Sequence, residues 1–530
     1  MLNFLIKGFK TNAIFTFVSR VTGFIRDIFF AHFLGASIHS DIFFVASKIP
    51  NLFRRITAEG ALTSSFLPVY RGLLENKNKL VAEEFSKLIF LILFVFILAL
   101  TIIFEIFMNE LVLIIAPGFR GDPLLFDNIV FLSRFTVLFL PLISFVALFG
   151  SMLNASGRFA PFAFSPIILN ICLILACLTI TESMQIKSFP LALTLPIAGL
   201  FQLLFIFYCL FKYKIISKSF LNFFSLKKKS FVSFSKSLHL TFNRFVPAFL
   251  SGSVFQINIV IDTLLASFLG IGAVSFLYYA DRLVQLPLGI IGVALGTTLL
   301  TSLSTPSILK DKKQTAIQFE KALKISLFFG IPAMLVLFIF PEIIVNSIFK
   351  RGNFAHEESK QTILALIFYS LGVPFLIISK SCQAVFLASG QANKILYISV
   401  FQLISNLILS IILMQYLAHG GIALATSIST FCGCIFYFKL IFDQKKIRLG
   451  ELNSKKEEGL IYLTKYFFEI LLCSFLMIVF LKLLTFFFKY LNFEISLIYV
   501  IIFSGMGFSF YFFIAFLTKK IPIELFKKIN

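Results

Sequence analysis

Apolar runs of roughly 18 or more residues recur from one end of this sequence to the other, as at 85–108, 322–348 and 495–517. Each is long enough to cross a hydrocarbon core of about 30 Å as a helix. In lipid a backbone must satisfy its own hydrogen bonds, so a chain built of such runs folds as transmembrane helices. The fold class is therefore an all-α integral membrane protein. Composition agrees: 59% of the 530 residues are hydrophobic, 14% are charged, and mean hydropathy is +0.97. A soluble chain of this length needs far more polar surface to cover its core.

About fourteen spans are expected, near 10–34, 41–70, 85–108, 125–150, 159–181, 189–211, 242–268, 274–303, 322–348, 360–388, 394–415, 420–442, 461–488 and 495–517. Loop charge fixes their direction. With the N-terminus inside, the inside segments hold Lys7 and Lys10, Lys227 to Lys229, Lys445, Lys446 and Arg448, and most other loop cations. The outside segments hold only Arg120, Lys187, Lys350, Arg351, Lys360 and Lys489. That asymmetry places both termini in the cytoplasm. It also accounts for the net charge of +22 without nucleic acid as a partner. The seven cysteines lie inside apolar runs, away from metal-ligand spacing, and read as small buried hydrophobes. The first apolar stretch contains Arg20, Arg26 and Asp27 and lacks a small-residue cleavage site, so it reads as a retained helix. With no Walker motif, HExxH or nucleophile arrangement, the chain does not read as an enzyme. The 74 Phe and absent Trp are assigned no function; Tyr must supply any aromatic belt.

The sequence repeats itself. Ala31–Gly35 reads AHFLG and Ala266–Gly270 reads ASFLG, 235 residues later, and the same offset pairs Phe43-Phe44 with Tyr278-Tyr279. Six spans separate the copies, so two parallel, pseudo-symmetric six-helix lobes are expected, related by an axis along the membrane normal. The expected organisation is an N-lobe at 1–211, a basic linker at 212–241, a C-lobe at 242–442, and two further spans with a cytoplasmic tail at 443–530. The linker's Phe/Leu spacing between lysines suits an amphipathic helix on the anionic leaflet, or a flexible basic loop. Two facing six-helix bundles are the usual frame of an alternating-access transporter.

Charges inside spans are costly, so they mark candidate sites. They concentrate in spans 1, 2, 7 and 8. Span 1 carries Arg20, Arg26 and Asp27; Arg20 and Asp27 share a helical face, and Arg26 points about a third of a turn away. Span 2 carries Asp41, Lys48, Arg54, Arg55 and Glu59, with Asp41, Lys48 and Arg55 expected on one stripe at seven-residue spacing and Pro50 between them expected to kink the helix and free a backbone carbonyl. Span 7 has Asp262, and span 8 has Asp281 and Arg282 followed by Pro287. Arg20, Arg26, Arg54 and Arg282 could line one pocket. Arginine keeps its charge and forks bidentately onto phosphate, so such a pocket suits an anion, a diphosphate best of all. Each residue also has a plainer reading. Arg20 and Arg26 could snorkel from a tilted helix, Arg54 or Arg55 could anchor the interface, Lys48 could be a structural partner of Asp41, and Asp262 could be a packing acid.

Two long segments carry a resemblance. SRVTGFIRDIFFAHFLGASIHSDIFFVASKIPNLFRRITAEGALTSSFLP, from Ser19 to Pro68, resembles the N-terminal signature of the MurJ (MviN) lipid II flippases, and YYADRLVQLPLGIIGVALGTTLL (278–300) resembles the start of their second half. That family belongs to the MOP exporter superfamily, with multidrug (MATE) exporters and polysaccharide flippases. The resemblance implies a bacterial inner-membrane transporter of peptidoglycan biosynthesis. Its substrate would be lipid II, undecaprenyl-diphosphate-linked disaccharide-pentapeptide, moved from the cytoplasmic to the periplasmic leaflet. It implies that Arg20, Arg26, Arg54 and Arg282, with Asp41 and Asn51, contact the headgroup. Asp27, Lys48, Arg55, Glu59 and Asp281 then serve as gate residues or charge partners. The polyprenyl tail would follow a groove toward spans 13 and 14, with membrane lipids and the peptidoglycan synthesis machinery as further partners.

The resemblance has two departures. Gln285 stands where family members often have Glu. A sodium site implied by some members falls on Asp262, Asn406 and Thr426, but a second acid expected in span 11 is Ser410. No cofactor is implied beyond that ion or the membrane potential as a driver. Two rival readings remain at this stage. A flippase for another polyprenyl-diphosphate-linked oligosaccharide would share the cationic cavity, and an inactive cell-wall scaffold would not need it.

Overall fold

The computed structural model describes residues 2–55, 61–76, 79–217, 220, 234–304, 311–443, 459–490 and 496–522. Among these the regular structure is helical throughout. The helices are α1 (Leu2–Leu34), α2 (Ile38–Ala46), α3 (Lys48–Phe53), α4 (Leu62–Asn76), α5 (Lys79–Ile106), α6 (Met108–Ile115), α7 (Pro123–Val137), α8 (Phe139–Ala155), α9 (Ala160–Cys177) and α10 (Phe189–Lys212). They continue with α11 (Ser235–Ser267), α12 (Ala273–Pro287), α13 (Val293–Leu303), α14 (Lys312–Ile339), α15 (Pro341–Ile348), α16 (His356–Ser370), α17 (Val373–Ala388), α18 (Ala392–Leu417), α19 (His419–Asp443), α20 (Gly459–Tyr490) and α21 (Leu497–Leu517). Eleven stretches among the described residues are long and apolar enough to cross a membrane, twelve if the 44° bent pair α16–α17 counts as one span. The fourteen spans read from the sequence exceed this by the first two, 10–34 and 41–70. Among the described residues the first of these is the single helix α1, and the second comprises the shorter helices α2, α3 and α4.

Span 2 breaks where its proline dictates. A proline ring clashes with the carbonyl four residues back and supplies no N–H to it. For Pro50 that carbonyl belongs to Ala46, the last residue of α2. The Thr136 hydroxyl of α7 donates to it at 2.6 Å. The helix is thus interrupted at Ser47, and a neighbouring helix satisfies the freed group. Prolines 123, 161, 190, 341 and 374 sit instead in the first turn of their helices, where no such carbonyl is lost.

The chain forms two compact units, Met1–Ser275 and Phe276–Asn530. The first includes α11, the seventh expected span. The end of α11 is held within this unit by close contacts. The Gly118 amide donates to the Ser267 hydroxyl at 3.0 Å, and a Cβ at Gly118 would lie 2.3 Å from the Ser267 carbonyl oxygen. Only glycine permits that approach. The turn after α11 repeats the turn after α1: Gly35 and Gly270, 235 residues apart, both have positive φ, 67° and 96°. The hydroxyls of Ser40 and Ser275, offset by the same 235, meet at 2.8 Å in a buried contact. A residue touching its own repeat equivalent places these two turns about a local two-fold axis. The π-helical geometry at Arg54 and Arg55 recurs at the same offset, inside the π-helical turn Leu288–Gly292.

The linker's edges are anchored in the first unit. Glu83 accepts from the Ser217 amide and hydroxyl, Phe220 is buried with the Lys87 ammonium 5.8 Å from its ring centre, and Phe234 packs on Phe85. The amphipathic helix expected between them lies mostly outside the described residues, as does Glu59.

In the second unit the two C-terminal spans pack on α14. The Tyr511 hydroxyl donates to the Phe328 carbonyl at 2.7 Å, and the two rings lie 5.0 Å apart. Phe328 lies four residues before Pro332, so this carbonyl too has lost its helical donor to a proline. Tyr511→Phe keeps the ring contact and removes the donor. It should lower the stability of the detergent-solubilised protein by about 1–2 kcal/mol, read as a reduced midpoint of thermal or denaturant unfolding. An unchanged midpoint would show that water or lipid serves the carbonyl equally well.

Candidate functional site

Arg26 is held at all three nitrogens of its guanidinium. Its Nε and Nη2 both donate to Asp27 Oδ1, at 3.1 and 2.7 Å, and its Nη1 donates to Asn170 Oδ1 of α9 at 2.9 Å. The guanidinium carbon lies 5.3 Å from the centre of the Phe30 ring. Asp27 is 2% exposed, so a buried carboxylate neutralises the arginine beside it. Asn170 was not picked out from the sequence. Its signal was a carboxamide in an otherwise apolar span, and its partner is fixed only by tertiary packing. Arg20, on the same helix, is exposed.

Asn51, Arg54 and Arg55 are half-buried around the end of α3, and Lys48 begins that helix. The break at Ser47 separates Asp41 from Lys48 and Arg55, so the stripe expected at seven-residue spacing does not run along one continuous helix. Arg54 and Arg55 adopt π-helical geometry, which is rare and recurs at functional sites.

Asp41 is 1% exposed and spends its carboxylate on the turn that precedes α12. Oδ2 accepts from the Gly272 amide at 2.5 Å, and Oδ1 accepts from the Ser275 amide at 2.9 Å and the Ser275 hydroxyl at 2.5 Å. A carboxylate on the first amides of a helix is an N-terminal cap, favoured by hydrogen bonding and by the helix dipole. Here the cap comes from another helix, so it ties α2 to the α11–α12 turn.

In the second unit, Arg282 Nη2 donates to the Tyr278 hydroxyl at 2.9 Å, with the guanidinium carbon 4.7 Å from the centre of that ring. One turn on, the Gln285 amide lies 3.3 Å from Asp281 Oδ1. A glutamate at 285 would face Asp281 with like charge; glutamine donates to it instead.

Of the residues implied in an ion site, Asp262 is half-buried in the first unit. Asn406 and Thr426 meet in the second, where Asn406 Oδ1 accepts from Thr426 at 3.4 Å and from Ser410 at 3.5 Å. Ser410 brings no charge to this cluster. Among the described residues no group of three His, Cys, Asp or Glu side chains is placed to hold a metal ion.

Comparison with known proteins places this geometry in a family. The model of lipid II flippase MurJ matches residues 30–503. A probable lipid II flippase MurJ of Rickettsia prowazekii (strain Madrid E) is 33% identical over 516 residues, 97% of each chain. One from Buchnera aphidicola subsp. Acyrthosiphon pisum (strain APS) is 32% identical over 452 residues, covering 84% of this chain and 85% of its own. A solved lipid II flippase MurJ in an inward closed conformation superposes with a TM-score of 0.77 at 26% identity, over 96% of this chain and 99% of its own. An inward-facing multidrug resistance MATE transporter of the MOP superfamily superposes with a TM-score of 0.66 over 81% of this chain and 96% of its own; at 14% identity it shares the fold alone. The chain belongs to the MurJ lipid II flippase family.

Proposed function

We propose that this chain flips lipid II from the cytoplasmic to the periplasmic leaflet by alternating access, in a bacterial inner membrane with both of its own termini in the cytoplasm. The observation that carries the reading is Arg26: a permanent cation inside the first span, held in plane by Asp27 and Asn170, in a member of a lipid II flippase family. A charge at that depth costs several kcal/mol unless it is partnered, and a held guanidinium presents a preformed fork to a diphosphate. Arg20 and Arg54 of the first unit and Arg282 of the second are proposed to engage the same headgroup during its passage, with Asn51 beside Arg54 donating to its oxygens.

The tie from Asp41 to Gly272 and Ser275 then belongs to the periplasmic side. It holds the two turns together while the cytoplasmic side accepts substrate, and it parts when the protein opens outward. Passage requires no covalent chemistry. The membrane potential, negative inside, favours outward movement of an anionic headgroup by about 2.3 kcal/mol per charge per 100 mV. Transport driven this way needs no ion at Asn406 and Thr426.

The test is replacement in cells depleted of their own lipid II flippase. Expression of this chain should restore growth and prevent lipid II from accumulating. A flippase for a different polyprenyl-linked oligosaccharide would leave lipid II accumulated. A scaffold would restore growth equally well with its intramembrane arginines removed.

A further inference from the structure

Asn170 does more than occupy a place in α9. It is 5% exposed and uses both ends of its carboxamide on α1. Its oxygen accepts from Arg26 Nη1 at 2.9 Å, while its nitrogen donates to the Ser19 carbonyl and to the Thr22 hydroxyl, each at 3.1 Å. One side chain thus spans two turns of the first helix and ends on the arginine. Asp27 holds the opposite edge of the same guanidinium through Nε and Nη2. Between them the two residues engage all three guanidinium nitrogens and fix the orientation of its plane.

A free arginine carries about 2 kcal/mol of rotamer entropy, which binding a ligand must otherwise remove. Holding the fork before the ligand arrives eliminates that cost, as pre-organisation does generally. Asp27 grips one edge of the guanidinium through Oδ1. Asn170 supplies the second anchor. It does so from a different span, and its hold on the Ser19 carbonyl fixes the rotation of α1 against α9.

We propose that Asn170 is a positioning residue for headgroup recognition: it holds Arg26 ready for the anionic diphosphate of the lipid-linked substrate. The inference rests on the reading that Arg26 contacts that headgroup. Asn170 itself stays behind the arginine and need not touch the ligand.

A mutant cycle on the full chain in lipid nanodiscs tests this, with lipid II as the probe. Asn170→Ala should weaken lipid II binding about five- to thirtyfold while Arg26 is present. In an Arg26→Ala background the same change should have almost no further effect, because there is no guanidinium left to position. Asn170→Asp, which preserves shape, guards against a misfolded alanine variant. It sets a second carboxylate on Arg26 in competition with the diphosphate, so it too should weaken binding in the Arg26 background. A purely structural asparagine would give the same loss with and without Arg26. That outcome, or unchanged binding by both variants, overturns the proposal. Failure of the unmodified chain to bind lipid II overturns the flippase reading, and this inference with it.

Discussion

Arg26→Ala should insert and accumulate normally yet fail to restore growth to cells depleted of their lipid II flippase. A charge-assisted contact to a partly desolvated diphosphate is worth roughly 1.5–3 kcal/mol, so its loss should weaken headgroup binding by about ten- to over a hundredfold. Alanine also leaves Asp27 without its guanidinium, so the sharper variant is Arg26→Lys. Lysine keeps a positive charge beside Asp27 but is a point charge on a flexible stem. It cannot hold Asp27 at one edge, reach Asn170 with another nitrogen, and still present a planar fork. Arg26→Lys should therefore fold and fail. Arg20 is exposed, so Arg20→Lys separates a snorkelling residue, which tolerates the change, from a headgroup contact, which does not. Growth at native expression with both Arg26→Ala and Arg26→Lys would remove Arg26 from the mechanism.

The second large effect is expected at the turns after α1 and α11. The Ser40 and Ser275 hydroxyls lie 2.8 Å apart, and both residues are buried. Cysteines at these two positions would bring their sulfurs within reach of each other, and on the proposed topology an oxidising periplasm favours the disulfide. On the proposed cycle, in which the Asp41 tie parts, a covalent link here would make that tie permanent. The Ser40→Cys, Ser275→Cys double variant should thus lose all transport under oxidising conditions and regain it on reduction. Each single variant should transport under both conditions. The double variant transporting at the normal rate while fully cross-linked would show that these turns stay together throughout the cycle.

Much of this was legible in the sequence because it depends on local rules. The break in span 2 follows from Pro50, and the freed Ala46 carbonyl follows from where that proline sits. The repeat at 235 residues was visible in AHFLG and ASFLG, and the reason for its glycines is the positive φ at Gly35 and Gly270. The partners were not legible, because helix packing supplies them. Thr136 lies 90 residues from Ala46, and Asn170 lies 144 residues from Arg26. Asp41 shows the difference most clearly. Read along one helix it belonged with Lys48 and Arg55; packing turns its carboxylate onto Gly272 and Ser275, far along the chain.

The most direct measurement of the central claim asks which leaflet holds lipid II. In cells depleted of their own flippase, lipid II should be protected from an impermeant lipid II-cleaving enzyme added outside. Expressing this chain at native level should make it cleavable again, and expressing the Arg26→Ala variant should not. Lipid II that stays protected while the unmodified chain is present and correctly inserted would contradict the account.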